Sequence, residues 1–234
     1  MKTRKLSLCI ILPAYNEEPV IGSVLESLKK YLVTGLSEYN VKIVVINDGS
    51  RDNTYREIVR KGVTVLSHPL NCGLGAALAT GMTYAKQGGF DIALTMDSDG
   101  QHDPHDIKPA LMPIIDNTAD IVIGTRMQGQ KGMPLDRVIV TRLGSLLTWI
   151  LFGVWTTDSQ SGFRVFNRKA LDMIRIKTQG MEVSSEIFAE ISKHNLQFQE
   201  VPIKVIYTDY SRTKGQSNLN SINILVKLLL RLFR

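Results

Sequence analysis

Asp97 and Asp99 stand one residue apart, just after an apolar run and shortly before Pro104. Two such carboxylates repel each other unless a cation shares their charge, and Mg2+ or Mn2+ takes hard oxygen ligands of this kind. At the carboxyl end of a buried strand the pair would also face a phosphate ligand, because open α/β sheets bind ligands outside that edge. The plain alternative is an acidic turn, with Asp103 capping a helix that begins at Pro104.

Other groups fall at similar places. Asp48, in Asn47-Asp48-Gly49-Ser50, follows a second apolar run and can bond a base or a ribose; Asp52 reads better as a helix cap. In Pro13-Ala14-Tyr15-Asn16-Glu17 the Tyr15 ring can cover a base and Glu17 can accept from ribose hydroxyls, against a simple turn capped by Asn16. Arg126 ends the run Gly124-Thr125-Arg126, and Arg137, Arg164 and Arg212 lie in other polar loops or at helix ends; arginine is the permanently charged, planar partner of phosphate. Asn71-Cys72-Gly73-Leu74-Gly75-Ala76-Ala77 has the look of a phosphate-cradling loop but lacks the P-loop ending and the three-glycine dinucleotide spacing, so close packing of a helix through small residues is the better reading. His68, His102, His105 and His194 have no zinc-type spacing, and no Ser-His-Asp arrangement is evident.

Positioning these groups requires elements. Buried strands are expected at 6–12, 41–46, 63–66, 90–96 and 121–124, with helices at 17–32, 52–60, from the Gly73-Gly75 loop to about 86, and at 107–115. Alternating strands and helices make a parallel, doubly wound sheet across the first half of the chain. Beyond it come a loop at 129–132, an apolar helical stretch at 137–155, a polar loop at 158–164 entering a strand at 165–166, and a helix at 183–194. A strand at 198–206 contains Pro202, which marks it as an edge. Residues 209–218 read as polar loop. The expected division is therefore a domain at 1–218 and an amphipathic helix at 219–234.

Composition narrows the partners. The chain has 234 residues, 44% hydrophobic and 21% charged, enough for a sizeable core, and its net charge of +6 points to an anionic partner: nucleotide phosphate, lipid surface or nucleic acid. No nucleic-acid motif with interleaved aromatics supports the last. Only Cys9 and Cys72 occur, which fits a reducing cytosol. The basic start Met1-Lys2-Thr3-Arg4-Lys5 resembles a signal peptide only superficially, since the apolar run breaks at Pro13 with no cleavage site. No window offers the ~20 apolar residues of a membrane span. Residues 143–155, with Trp149 and Trp155, fit a core helix or a helix resting on a membrane equally well. In 219–234, Lys227, Arg231 and Arg234 form a basic stripe beside Leu225, Leu228, Leu229 and Leu232, as an interfacial helix on anionic lipid or a partner-docking helix would have it.

Taken in order, these motifs resemble the family-two, inverting glycosyltransferases of the GT-A fold, and among them the polyprenyl-phosphate sugar synthases of the dolichol-phosphate mannose synthase type. The carriers are Leu12-Pro13-Ala14-Tyr15-Asn16-Glu17, Asn47-Asp48-Gly49-Ser50, Asn71-x-Gly73-x-Gly75-Ala76-Ala77, Asp97-x-Asp99-x-Gln101-His102, Gly124-Thr125-Arg126, Ser161-Gly162-Phe163-Arg164 and Arg212-x-x-Gly215-x-Ser217. The resemblance implies an α/β, Rossmann-like, mostly parallel sheet flanked by helices. It also implies a GDP- or UDP-sugar donor, a polyprenyl-phosphate acceptor, a Mg2+ or Mn2+ cofactor and a peripheral place on the cytoplasmic face of the membrane, reached through the chain's own helices or an integral membrane partner. Pro13, Tyr15, Glu17, Ile46 and Asp48 would bind nucleotide. Asp97, Asp99 and Gln101 would hold the metal, with Ser98 lining the site. Arg126, Arg212 and, by a looser match, Arg137 would take donor or acceptor phosphates. The family's last motif ends Ser-Lys where this chain has Ser217-Asn218, so a phosphate-binding cation is lost there. Two other functions remain to be weighed. One is transfer to a polysaccharide or other hydroxyl acceptor in envelope synthesis, which needs a base such as Glu182, Glu186 or Asp158. The other is a non-catalytic binder of nucleotide-sugar or of a membrane protein, which the intact acidic motif argues against.

Overall fold

A computed structural model describes residues 4–127 and 135–206, and of 135–140 the backbone alone. The amphipathic helix expected at 219–234, Arg212 and Asn218 therefore lie outside the described residues. The framework is a sheet of seven strands: β1 Ser7–Ala14, β2 Asn40–Asp48, β3 Thr64–His68, β4 Ile92–Thr95, β5 Ile121–Thr125, β6 Arg164–Asn167 and β7 Phe198–Pro202. They lie in the order β3-β2-β1-β4-β6-β5-β7. Every neighbouring pair is parallel except those of β6, which runs antiparallel to both β4 and β5.

β1 shows why its sequence is apolar throughout. Side chains alternate across a strand, so Leu8, Ile10 and Leu12 face one core layer and Cys9 and Ile11 the other. The first layer lies under helices α1 Glu18–Gly35 and α4 Ile107–Ile115, the second under α3 Leu74–Gln87, α6 Arg168–Met173 and α7 Val183–Lys193. A strand buried on both faces has no position for an exposed polar residue, hence the unbroken run. The described residues hold two further α-helices, α2 Thr54–Arg60 and α5 Leu135–Phe152.

α3 packs closely through small residues, as its sequence requires. A Cβ on Gly81 would strike the Ile11 side chain, and one on Gly75 would strike the carbonyl of Thr178. At the N-terminus of α3 the backbone N–H of Gly75 donates to the Gln179 carbonyl at 2.7 Å, so that end is closed by the chain's own loop. Pro202 does lie on an edge strand, since among the described residues β7 pairs only with β5. Asp103 does cap the turn at Pro104–Asp106, accepting from His105 N.

Some expectations need correction. Asn16 is not the cap of α1. It adopts φ +53°, and its Oδ1 accepts from Arg51 N at 2.9 Å, tying the end of β1 to the loop after β2. The helix expected to reach 155 stops at Phe152, followed by Gly153 at φ +68°. The strand expected to reach 206 ends at Pro202. A separate bridge then joins Val205 to His102. α6 was not expected; Asn167 caps it by accepting from Ala170 N at 2.8 Å.

Candidate functional site

The parallel strands β1, β2, β4 and β5 all finish at one edge of the sheet, and the antiparallel β6 starts there. Asp97 and Asp99 emerge just past β4. The Asp97 side chain is 42% accessible, crowded by charged neighbours, and its Oδ2 lies 3.2 Å from His102 Nε2. Desolvation pushes its pKa up. The His102 hydrogen bond, with the charges of His102, Arg126 and Arg164, outweighs this and holds the carboxyl below the usual range. Asp99 goes the other way: burial, then the charge of Asp97, pushes its pKa up. One carboxylate is thus held ionised while its neighbour resists ionisation, a conflict that a divalent cation between them would relieve. With carboxylate oxygens as the available donors, the pair fits a hard cation.

The neighbours of the pair are engaged in holding it. Gln101 donates to Asp99 twice, from its backbone N at 3.0 Å and from Nε2 at 2.7 Å. Ser98 turns inward, donating its hydroxyl to the Pro13 carbonyl at 2.7 Å, so it locks the acidic loop to the end of β1. The chain after β7 crosses the same loop, with Ile206 N donating to Gln101 O at 2.9 Å.

Arg126 follows the end of β5, and Asp158 grips it with three bonds: Nε to Oδ2 at 2.6 Å, Nη2 to Oδ1 at 2.7 Å and backbone N to Oδ2 at 3.2 Å. Asp158 itself is fully buried. Beside it, Glu200 of β7 accepts from Thr156 Oγ1, Thr157 N and Thr157 Oγ1, fixing the loop that delivers Asp158. Arg164 is also fully buried. Its Nη2 donates to Ser159 O at 3.3 Å, its guanidinium lies 6.0 Å from the Phe188 ring centre, and Nε has no partner among the described residues. Burial lowers its pKa to about 10, with the charges of Asp97 and Asp158 opposing the fall. Arg137 is placed on α5 by its backbone alone.

The far side of the edge carries the residues expected to meet a nucleotide. Tyr15 is exposed, while Glu17 is buried and its backbone N donates to Thr54 Oγ1 at 2.7 Å. Pro13 is half-buried and supplies the carbonyl that holds Ser98. Ile46 has no accessible surface; it is core beneath α3 and can shape the site only through its neighbours. Asp48 is nearly as buried, and its oxygens accept from Cys72 N at 2.9 Å and Gly73 N at 2.8 Å and lie 2.7 Å from His68 Nδ1. It therefore pins the loop ahead of α3, a role its sequence position did not reveal. The same contacts gather Asp48, His68 and Cys72, whose potential ligand atoms lie within 4.8 Å of one another. His68 Nε2 is spent on Thr80 Oγ1 at 2.9 Å, so the group forms a satisfied hydrogen-bond network.

A family model, "Glycosyl transferase family 2", matches residues 9–175 and so takes in the acidic loop, Arg126, β6 and α6. The chain belongs to glycosyl transferase family 2. It is similar to UDP-N-acetylglucosamine–dolichyl-phosphate N-acetylglucosaminyltransferase of Methanococcus voltae, 35% identical over 94% of each chain. It is also similar to undecaprenyl-phosphate mannosyltransferase of Micrococcus luteus, 28% identical over 87% of this chain and 85% of that one. Glucosyl-3-phosphoglycerate synthase of Mycobacterium tuberculosis, solved with Mn2+, UDP and phosphoglyceric acid, shares the fold at a TM-score of 0.69 and 20% identity, covering 95% of this chain and 78% of that one. The expected GT-A sheet is thus the observed one, and the family-two glycosyltransferase assignment stands.

Proposed function

We propose that this glycosyltransferase moves a sugar from a GDP- or UDP-sugar to a polyprenyl phosphate at the cytoplasmic face of a membrane, with inversion at the anomeric carbon. Asp97 and Asp99 would hold Mg2+ or Mn2+, with Gln101 fixing Asp99; when bound, the ion supplies positive charge to the departing diphosphate. Tyr15, Glu17 and the loops pinned by Asp48 and Ser98 flank the nucleotide. Arg126, oriented by Asp158, presents its guanidinium to a phosphate, and Arg137 and Arg212 are the proposed further phosphate ligands. An acceptor phosphate is already ionised at neutral pH, so its oxygen can attack the anomeric carbon as the bond to the diphosphate breaks. The chain then has only to align the two reactants and exclude water.

A hydroxyl acceptor would need a general base, and two of the three candidates are committed elsewhere. Asp158 is buried and bonded twice to the Arg126 guanidinium. Glu186 accepts from Lys177 N, Thr178 N and Thr178 Oγ1. Glu182, the third, stands at the N-terminal end of α7.

The observation that carries the lipid acceptor is the orientation of α5. This helix buries Thr141, Gly144, Ser145 and Thr148 and exposes Leu143, Leu146, Trp149 and Ile150. Trp155 continues the exposed face, edge-on to Trp149 with ring centres 6.4 Å apart. Three residues on stands Asp158, the clamp of Arg126, so an apolar surface adjoins the proposed phosphate site. No helix among the described residues is long and apolar enough to cross a membrane, so this face would lie on the lipid surface.

The test is a donor screen with polyprenyl phosphate in vesicles and Mn2+ or Mg2+, following sugar label into the organic phase. Label is expected there with one UDP- or GDP-sugar and only when lipid phosphate is present. Label on an added glycan, with none on the lipid, would reject the proposal.

A further inference from the structure

β6 is the strand that breaks the parallel order, and its placement bears on Asp97. It pairs antiparallel with β4, and Thr95 stands opposite Arg164. Two residues past the end of β4, and two residues before β6 begins, stand Asp97 and Gly162. The same register carried past the strand ends thus sets Gly162 opposite Asp97, with both positions on one face. The Thr95 hydroxyl holds the two chains together there, donating to the Gly162 carbonyl at 2.9 Å.

Gly162 is needed for its missing side chain. A Cβ at this position would lie 2.6 Å from Cγ of Asp97, and the three nearest atoms it would meet all belong to that carboxylate. Gly162 is not among the positive-φ glycines, so its backbone conformation is open to alanine. Space for Asp97 is therefore what glycine provides here. We propose that Gly162, fixed by Thr95, is the seat of Asp97, a positioning residue that sets the carboxylate in the geometry a divalent cation requires. The proposal rests on the reading of Asp97 and Asp99 as a cation site.

The seat also explains why an antiparallel strand is inserted at this point of the sheet. A parallel neighbour of β4 would end at the same edge and leave in the same direction as Asp97. β6 enters from that edge, so a turn of backbone without a side chain lies against the carboxylate. Arg164, two residues on, places its buried positive charge on the same face.

The experiment measures Mn2+ binding to the full chain by the electron paramagnetic resonance signal of the free ion, with melting temperature recorded for each variant. Gly162→Ala is expected to weaken Mn2+ binding at least tenfold while the melting temperature stays close to that of the wild type, because only the end of one side chain has to move. Thr95→Val, which removes the hydroxyl that fixes Gly162, is expected to weaken Mn2+ binding about threefold and decides the matter if Gly162→Ala does not fold. Wild-type protein that takes up no Mn2+ overturns the reading of the site together with the seat. Wild-type protein that binds Mn2+ no better than Gly162→Ala or Thr95→Val overturns the seat alone.

Discussion

α1 and α5 are both helices of 18 residues on the flanks of one sheet, yet they face in opposite senses. α1 buries Ile21, Val24, Leu25, Leu28 and Tyr31 and turns Glu26, Lys29 and Lys30 to water, the ordinary arrangement of a helix covering a core. α5 turns Leu143, Leu146, Trp149 and Ile150 outward and packs through glycine and hydroxyl residues. α1 covers one core layer of the sheet, whereas the described side chains of α5 leave a row of large apolar residues exposed. On the proposed function the chemistry falls to the strand ends and the delivery of acceptor to α5, and that division can be broken by experiment.

The largest effect belongs to the donor edge. Asp97→Ala should lower transfer to lipid phosphate, and hydrolysis of the donor by water, by on the order of 10³-fold, the loss seen when a preorganised electrostatic contact to a transition state is removed. Chelation of divalent cations should do the same to the wild type. Changes on the exposed face of α5 should leave donor hydrolysis intact. Donor hydrolysis lost with the α5 face, or turnover kept in Asp97→Ala, would end the division of labour.

Stability separates the two helices next. Leu25 on α1 is fully buried, so Leu25→Ala should cost about 2–5 kcal/mol in urea unfolding, counting lost transfer energy and the cavity left behind. Ile150 on α5 is 61% exposed, and Ile150→Ala should stay within about 0.5 kcal/mol of the wild type. Equal costs would mean that α5 is a core helix after all.

Much of this was legible in the residues. Strand positions followed from apolar runs, and the carboxyl-edge placement of Asp97, Asp48 and Arg126 followed from the alternation of strand and helix. Other features depend on distant partners that local pattern does not encode. Asp48 looks like a ligand group in sequence and Ser98 has its lining role from the family resemblance; the approach of Pro13 and of Cys72-Gly73 adds that their side chains also tie loops together. Ile46 stands beside Asp48 but points into the core. The antiparallel run of β6 is invisible in four residues, because direction is set by the path of the chain between elements. α5 was ambiguous for a different reason: large apolar residues lie on most sides of it, and the small hydroxyl residues that pack inward carry weak hydrophobic signal. α6 did leave a sign, the cap Asn167, on a helix too short to show a period.

Membrane binding sharpens the comparison further. Trp149→Ser with Ile150→Ser removes two large apolar groups that would otherwise enter the headgroup region, at ~1.5–3 kcal/mol each for full burial, so partition onto anionic vesicles should fall by on the order of 100-fold. Melting temperature should hold, since neither side chain supports the core. A matching substitution of exposed Val33 on α1 should leave partition unchanged. Vesicle binding indifferent to the double substitution would remove α5 from the lipid surface and leave a protein partner as its cover.

The smallest effect tests why the inward face of α5 is made of small hydroxyl residues. Thr148 Oγ1 donates to the Gly144 carbonyl at 2.8 Å, and Ser145 Oγ donates to the Thr141 carbonyl at 3.0 Å. Each hydroxyl is thus satisfied within its own helix, by a carbonyl that an α-helix already pairs with the N–H four residues on. The hydroxyls therefore do not bind α5 to the rest of the protein; their small size lets it approach. Thr148→Val keeps the shape, leaves no backbone group unpaired, and should change stability by less than about 1 kcal/mol. Thr148→Leu adds bulk at the contact and should cost about 1–3 kcal/mol through overpacking. The reverse order of costs would mean that the polar groups themselves, and not the closeness they permit, keep this helix seated with its apolar side out.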